Sequence, residues 1–246
     1  MLSVAPANKL VIFIHGFGGG SMSTWKSFPS RILEDIAFAN VDVVFYGYDS
    51  QRQATNSAVE LLAFLNVILD PNAVLPYPAE VQQRGAVHYD SVLLSCHSLG
   101  AVVARQALLM ARRDPPAWLD LVKLLLFAPA HAGSNLLQLL VSCLSSADGL
   151  FAFFGMYRIP VLQDLKPGSF ALNNLQLDTR AVIESRANLN IAIASNVIWA
   201  DDERVVHNAV FCDDPNAILA NGTTHTTVCK PITGYRLPVE SVHAAL

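Results

Sequence analysis

The sequence predicts an α/β protein in which a mainly parallel sheet of about six strands is flanked by helices and interrupted late by an apolar insertion. Three observations carry this. Short aliphatic runs alternate with longer stretches of helical periodicity. Two of those runs, 9–14 and 91–95, lead directly into turns followed by helical sequence. Hydrophobic residues make up 52% of the 246 and charged residues only 15%, which supplies a large core and argues against disorder.

The elements follow in order. Lys9-Leu10-Val11-Ile12-Phe13-Ile14 is a strand buried on both faces. Residues 25–38 fit a helix and 41–46 a strand. Residues 55–69 fit a helix with Val59, Leu62, Ala63 and the pair Asn66-Val67 along its apolar face. Pro71, Pro76 and Pro78 make 71–85 a surface loop. A strand at 91–95, a helix at 101–109 and a strand at 124–127 follow, and Asn190-Ile191-Ala192-Ile193-Ala194 has the composition of a late sheet strand. The first strand meets its glycine-rich turn almost at the start, so no leading antiparallel hairpin is expected. No repeat is visible, and 1–246 reads as one domain.

The chemistry concentrates in Cys96-His97-Ser98-Leu99-Gly100, which joins the strand 91–95 to the helix 101–109. A serine at the centre of a strand-to-helix turn is a nucleophile elbow: the turn forces the serine into a rarely populated backbone conformation and lifts its hydroxyl clear of the sheet. Gly100 is small enough for that turn, and Cys96 stands where glycine is commoner. Upstream, His15-Gly16-Phe17-Gly18-Gly19-Gly20 is a glycine-rich turn of the kind that presents backbone N–H groups to a developing oxyanion. The expected donors are the amides of Phe17 and Leu99, with Gly16 and His97 beside the substrate.

An elbow serine needs a base and an acid further along the chain. His225, in the turn-forming Gly222-Thr223-Thr224-His225-Thr226-Thr227, is the candidate base. His243 lies near the terminus, His207 sits too close to the acid candidates, and His15 and His97 belong to the other two motifs. The acid falls among Asp201, Asp202 and Glu203. Glu203 ranks first because it stands two residues before the β-branched pair Val205-Val206. Asp202 ranks second because aspartate is the commoner acid in such triads. Alternation along an extended segment would put Asp201 and Glu203 on one face, with Asp202 opposite. Asp213 and Asp214 are outlying alternatives.

With these motifs in place the chain resembles the α/β-hydrolase superfamily over nearly its whole length. More narrowly, it resembles the lipase-like serine esterases related to the GPI inositol-deacylases. The narrower likeness rests on His97-Ser98-Leu99-Gly100 with Val103-Ala104-Arg105-Gln106-Ala107, on Phe127-Ala128-Pro129-Ala130-His131-Ala132-Gly133-Ser134, and on His225-Thr226-Thr227-Val228-Cys229-Lys230-Pro231. What the resemblance implies is hydrolysis of lipid-like or other carboxylic esters, with Ser98 as nucleophile and His225 as base. A thioesterase, acyltransferase or peptidase on the same triad, and a scaffold that binds an apolar ligand or a protein without catalysis, are the alternatives.

The superfamily commonly inserts a cap after its fourth central strand, and residues 134–188 fill that place here. Within them 136–144 and 149–156 are strongly apolar. Asp148, several serines and two glycines argue against a membrane span across 136–156. A lid bearing Phe153 and Phe154 over the serine would favour apolar acyl chains at roughly 25 cal/mol per Å² buried, and would allow transient contact with a membrane surface.

A net charge of -4 without basic clusters makes nucleic acid an improbable partner. Cys96, Cys143, Cys212 and Cys229 lack the paired spacing of a zinc site, so neither metal nor cofactor is expected. A bridge between Cys212 and Cys229 stays open, with free thiols favoured. The first residues lack the basic start and apolar core of a signal peptide, which makes cytoplasmic residence the default expectation. The oligomeric state is not legible.

Overall fold

A computed structural model describes residues 7–70, 88–143 and 159–246. Six parallel strands form one sheet in the order β2-β1-β3-β4-β5-β6: β1 Lys9–Ile14, β2 Val41–Tyr46, β3 Ser91–His97, β4 Val122–Phe127, β5 Asn196–Asp202 and β6 Ile218–Thr224. Every residue of β3, and all of β1 after Lys9, is buried, as continuous aliphatic runs covered by helices on both faces must be. Ile14 pairs with Cys96 and His97 with Phe127, so the strands deliver their carboxyl ends to one level.

From β1 the chain crosses to β2 on one side and returns to β3 on the other. The loops after β1 and β3 therefore part company and leave a crevice above their strands. The glycine-rich turn and the elbow are those two loops.

The α-helices among the described residues are α1 Phe28–Glu34, α2 Ala54–Ile68, α3 Leu99–Ala111, α4 Leu136–Cys143, α5 Pro160–Asp164, α6 Phe170–Ser185, α7 Leu189–Ala192 and α8 Leu237–Ala245. No helix among the described residues is long and apolar enough to cross a membrane. Phe13 anchors an aromatic cluster with Trp25, Phe28 and Phe45 at centroid separations of 4.7 to 4.8 Å. Cys96, Cys212 and Cys229 are free thiols, so the last two are not bridged.

Several elements differ from expectation. The helix at 25–38 is shorter, because Lys26 takes φ 52° before α1 starts at Phe28, with Pro29 in its first turn. At its far end Asp35 breaks the helix by accepting the Ala37 N–H. Helix α2 buries Ala54, Ser57, Ala58, Leu61 and Leu65, whereas Val59 and Val67 are exposed. Its buried face thus joins the small Ala54, Ser57 and Ala58 to the bulky Leu61 and Leu65.

Residues 190–194 are not a strand. Their start is the short helix α7, whose Ala192 carbonyl is taken by Arg105 and whose neighbouring Ala194 N–H is taken by Asp214. The sixth strand is β6, an edge element whose Asn221 and Gly222 hide the strand pattern. The insertion expected at 134–188 holds α4, α5 and all of α6 among its described residues, while Phe153 and Phe154 lie outside them.

Candidate active site

Ser98 sits between β3 and α3 with φ 53° and ψ -119°, a left-handed conformation that a non-glycine residue adopts only when its surroundings impose it. The imposition is visible in three bonds. The Ser98 N–H donates to the Phe127 carbonyl at 3.0 Å, and the Ser98 carbonyl accepts from Ala101 and Ala130. Gly100 completes the turn, since a Cβ there would lie 2.4 Å from the Ile14 carbonyl oxygen and 2.6 Å from that of His15.

His225 follows β6 directly. Its Nε2 lies 3.1 Å from Ser98 Oγ and its Nδ1 3.0 Å from Glu203 Oε2. An ionised carboxylate can only accept, so Nδ1 carries the proton and Nε2 presents its lone pair to the serine hydroxyl. The turn that holds this ring is closed by Thr227, whose hydroxyl accepts the Thr224 N–H at 2.8 Å.

His97 Nε2 donates to the His225 carbonyl at 2.8 Å. Burial, and then the neighbouring His225, hold the His97 pKa well below the ordinary histidine value, so this ring is a neutral strut under the turn.

Glu203 is held from both sides. Its other oxygen, Oε1, accepts the N–H groups of Val205 at 2.8 Å and Val206 at 3.1 Å, and its side chain is only 3% exposed. The β-branched pair is thus a clamp: the two amides that follow the acid fix its carboxylate. Val205 and Val206 are tied in turn to the segment after β4, through the Asn135 N–H on the Val205 carbonyl and an isolated bridge between Ser134 and Val206.

The other carboxylates are engaged elsewhere. Asp202 is exposed and pairs with Arg204 at 2.6 Å. Asp201 is also exposed and accepts the amides of Gly222 and Thr223 across from β6, which lowers its pKa. Asp201 and Glu203 do not share a face, because the register with β6 shifts between Ala200 and Asp202 and the strand ends there. Asp214 is buried against Arg105 and Asp213 is exposed. His207 and His243 are exposed.

In the glycine-rich loop, His15 donates from Nδ1 to the Gly16 carbonyl at 2.9 Å and accepts the Tyr48 N–H at Nε2. Burial lowers the pKa of this ring too. The loop secures itself: Gly18 N–H donates to Ser50 Oγ, Gly19 N–H to the Gly16 carbonyl and Gly20 N–H to Thr24 Oγ1. Gly16 lies against the elbow, where a Cβ would sit 2.8 Å from Ser98 Cβ and 3.0 Å from His97 Nδ1. Leu99 opens α3, in the first turn where backbone N–H groups have no partner within the helix.

Beside this constellation lies a cavity of about 240 Å³ lined by Gly16, Phe17, Gly18, Gly19, Ser23, Thr24, His97, Leu139, His225, Thr226 and Lys230. No cluster of metal-ligating side chains occurs among the described residues.

Sequence reasoning missed Tyr48 and Ser50, which brace the glycine-rich loop from the end of β2, and the strap 133–135 behind the acid. Their one signal is position, since each follows the carboxyl end of a strand next to the crevice.

No protein-family model matches the chain, and no curated protein matches it. Solved structures do. The mature lipase BlEst2 of Bacillus licheniformis superposes with a TM-score of 0.55 at 15% identity, over 95% of this chain and 91% of that one. The type II thioesterase YbtT of the yersiniabactin pathway gives 0.57 at 15%, over 99% and 96%. The phospholipase PlaB of Legionella pneumophila gives 0.51 at 20%, over 79% of this chain and 39% of that longer one. At these identities the likeness is one of architecture.

Proposed function

We propose that this chain, which has the α/β-hydrolase fold, is a serine hydrolase that cleaves carboxylic esters through an acyl-enzyme. The single observation that carries the reading is the buried hydrogen-bonded series Glu203–His225–Ser98, with distances of 3.0 and 3.1 Å and the proton placed on Nδ1.

In this mechanism His225 Nε2 takes the Ser98 proton as Oγ bonds to the acyl carbon. The carbonyl electron pair moves to oxygen, which the Phe17 and Leu99 amides stabilise. The oxyanion pair then re-forms the carbonyl as the bond to the leaving alcohol breaks and the alcohol oxygen takes the proton from Nε2. Water then attacks the acyl-serine through the same relay, releasing the acid and restoring Ser98. Glu203 stays ionised and stabilises the imidazolium formed in each half.

Labelling with a fluorophosphonate, followed by intact mass, tests the reading. One adduct on the wild type, absent from Ser98→Ala and strongly slowed in His225→Ala, is expected. A folded wild-type protein that takes no adduct refutes it. Oxygen ester, thioester and amide substrates with one acyl group then separate esterase from thioesterase and peptidase, since the fold does not choose among them.

A further inference from the structure

Among the described residues that line the cavity beside Ser98, Lys230 carries the one permanent charge, and no aspartate or glutamate is among them. Among the described residues Lys230 has no carboxylate partner within ion-pair distance. It is nevertheless partly buried and fixed at its base. Its N–H donates to the Thr227 carbonyl at 2.9 Å, Cys229 before it is fully buried, and the carbonyl of Pro231 after it accepts the Ser27 hydroxyl.

An ammonium drawn part-way out of water beside a reaction site, with no internal counter-charge, is unfavourable until a ligand supplies one. The rest of the wall suits such a ligand. The hydroxyls of Ser23, Thr24 and Thr226 border the same volume as the Lys230 side chain and can donate to such a ligand. The Lys230 charge is also near enough to His97 to help depress that ring's pKa.

We propose that Lys230 is a specificity-determining residue that binds a phosphate group carried by the substrate close to its scissile acyl ester. This rests on the hydrolase reading above. A phosphate offers three acceptor oxygens to this ammonium and its neighbouring hydroxyls, whereas a neutral ester leaves the ammonium unmatched. The phosphate belongs either to a lipid headgroup or to a soluble ester.

The test compares kcat/KM within two pairs of substrates, each pair sharing one acyl chain. The soluble pair is butyrylglycerol and its 3-phosphate, and the lipid pair is 1-oleoylglycerol and its 3-phosphate. Wild type is expected to prefer the phosphate member at least about tenfold, the scale of a charge-assisted hydrogen bond. A preference in both pairs indicates a soluble ester suffices; a preference in the oleoyl pair alone indicates the lipid headgroup. Lys230→Met should bring the ratio to about one, and Lys230→Arg should keep most of it, since the guanidinium retains the charge.

Glycerol 3-phosphate should also slow fluorophosphonate labelling of Ser98 in wild type and not in Lys230→Met. A wild-type ratio near one in both pairs, or a preference that survives Lys230→Met, overturns the assignment while Ser98 labelling leaves the hydrolase reading standing. A folded protein with neither labelling nor turnover removes both.

Discussion

Replacing Glu203 by glutamine tests the electrostatic logic of the site with little disturbance to its shape. The glutamine carbonyl can still accept the Val205 and Val206 amides, so the clamp that forms the turn persists. What changes is the group 3.0 Å from His225 Nδ1, where a carboxylate oxygen becomes an NH₂. Two donors cannot face each other. The imidazole moves its proton to Nε2 and then points a proton, not a lone pair, at Ser98.

Recovering the reactive tautomer forfeits one hydrogen bond to a charged acceptor, about 1.5–3 kcal/mol, and leaves buried donors unmatched at about 1–3 kcal/mol more. At 1.36 kcal/mol per decade the expected loss is about 10² to 10⁴ in rate. The fluorophosphonate labelling rate of Ser98 reads this without knowledge of the substrate. Asp202→Asn, which touches only the exposed Arg204 pair, should stay within about threefold of wild type, as surface ion pairs contribute little. If Glu203→Gln labels within threefold of wild type, or Asp202→Asn loses more than tenfold, the assignment of the acid is wrong.

Other consequences are as open to measurement. Gly100→Ala drives a methyl into two backbone carbonyls and should cost about 2 kcal/mol, or roughly 4 to 8 °C in Tm by calorimetry. Asp214→Asn strips the charge from a carboxylate whose two oxygens accept from Arg105 Nη2 and one of them also from the Ala194 amide in the interior, and urea titration should show a loss of about 3 to 5 kcal/mol. The buried His15, His97 and His131 all have pKa values below the ordinary 6.5, so the native rings stay neutral where unfolded ones bind protons. Stability must therefore fall as pH drops below about 6.5, by at most about 1.4 kcal/mol per pH unit for each ring, and His131→Leu should flatten that slope.

The parts legible in sequence are those where one local rule decides. Short runs rich in β-branched and aromatic residues marked β1 and β2 to the residue, and the turn around Ser98 is written in five consecutive residues. The pairing of Glu203 with the amides of Val205 and Val206 gives a physical reason for the spacing that ranked this acid first. Legibility failed where long-range partners intervene. Residues 190–194 are as apolar as a strand, yet Arg105 and Asp214, distant in the chain, claim their polar groups and make a helix. Alternation broke down past Ala200 because a register shift and the end of β5 re-aim Glu203. The buried face of α2 was misjudged because apolar side chains occur on both sides of that helix: Leu61 and Leu65 are buried while Val59 and Val67 are exposed.

Ser98 and His225 stand 127 positions apart, and a sheet that is parallel throughout must close before they meet. Every loop closure along that route is paid for before the first useful contact forms, which is the regime of slow folding. The hydroxyl–imidazole contact thus exists only once the last strands have docked. Ser98 labelling can serve as a reporter of complete folding: during refolding it should lag behind the recovery of secondary structure, and fragments lacking the terminal quarter should have none of it.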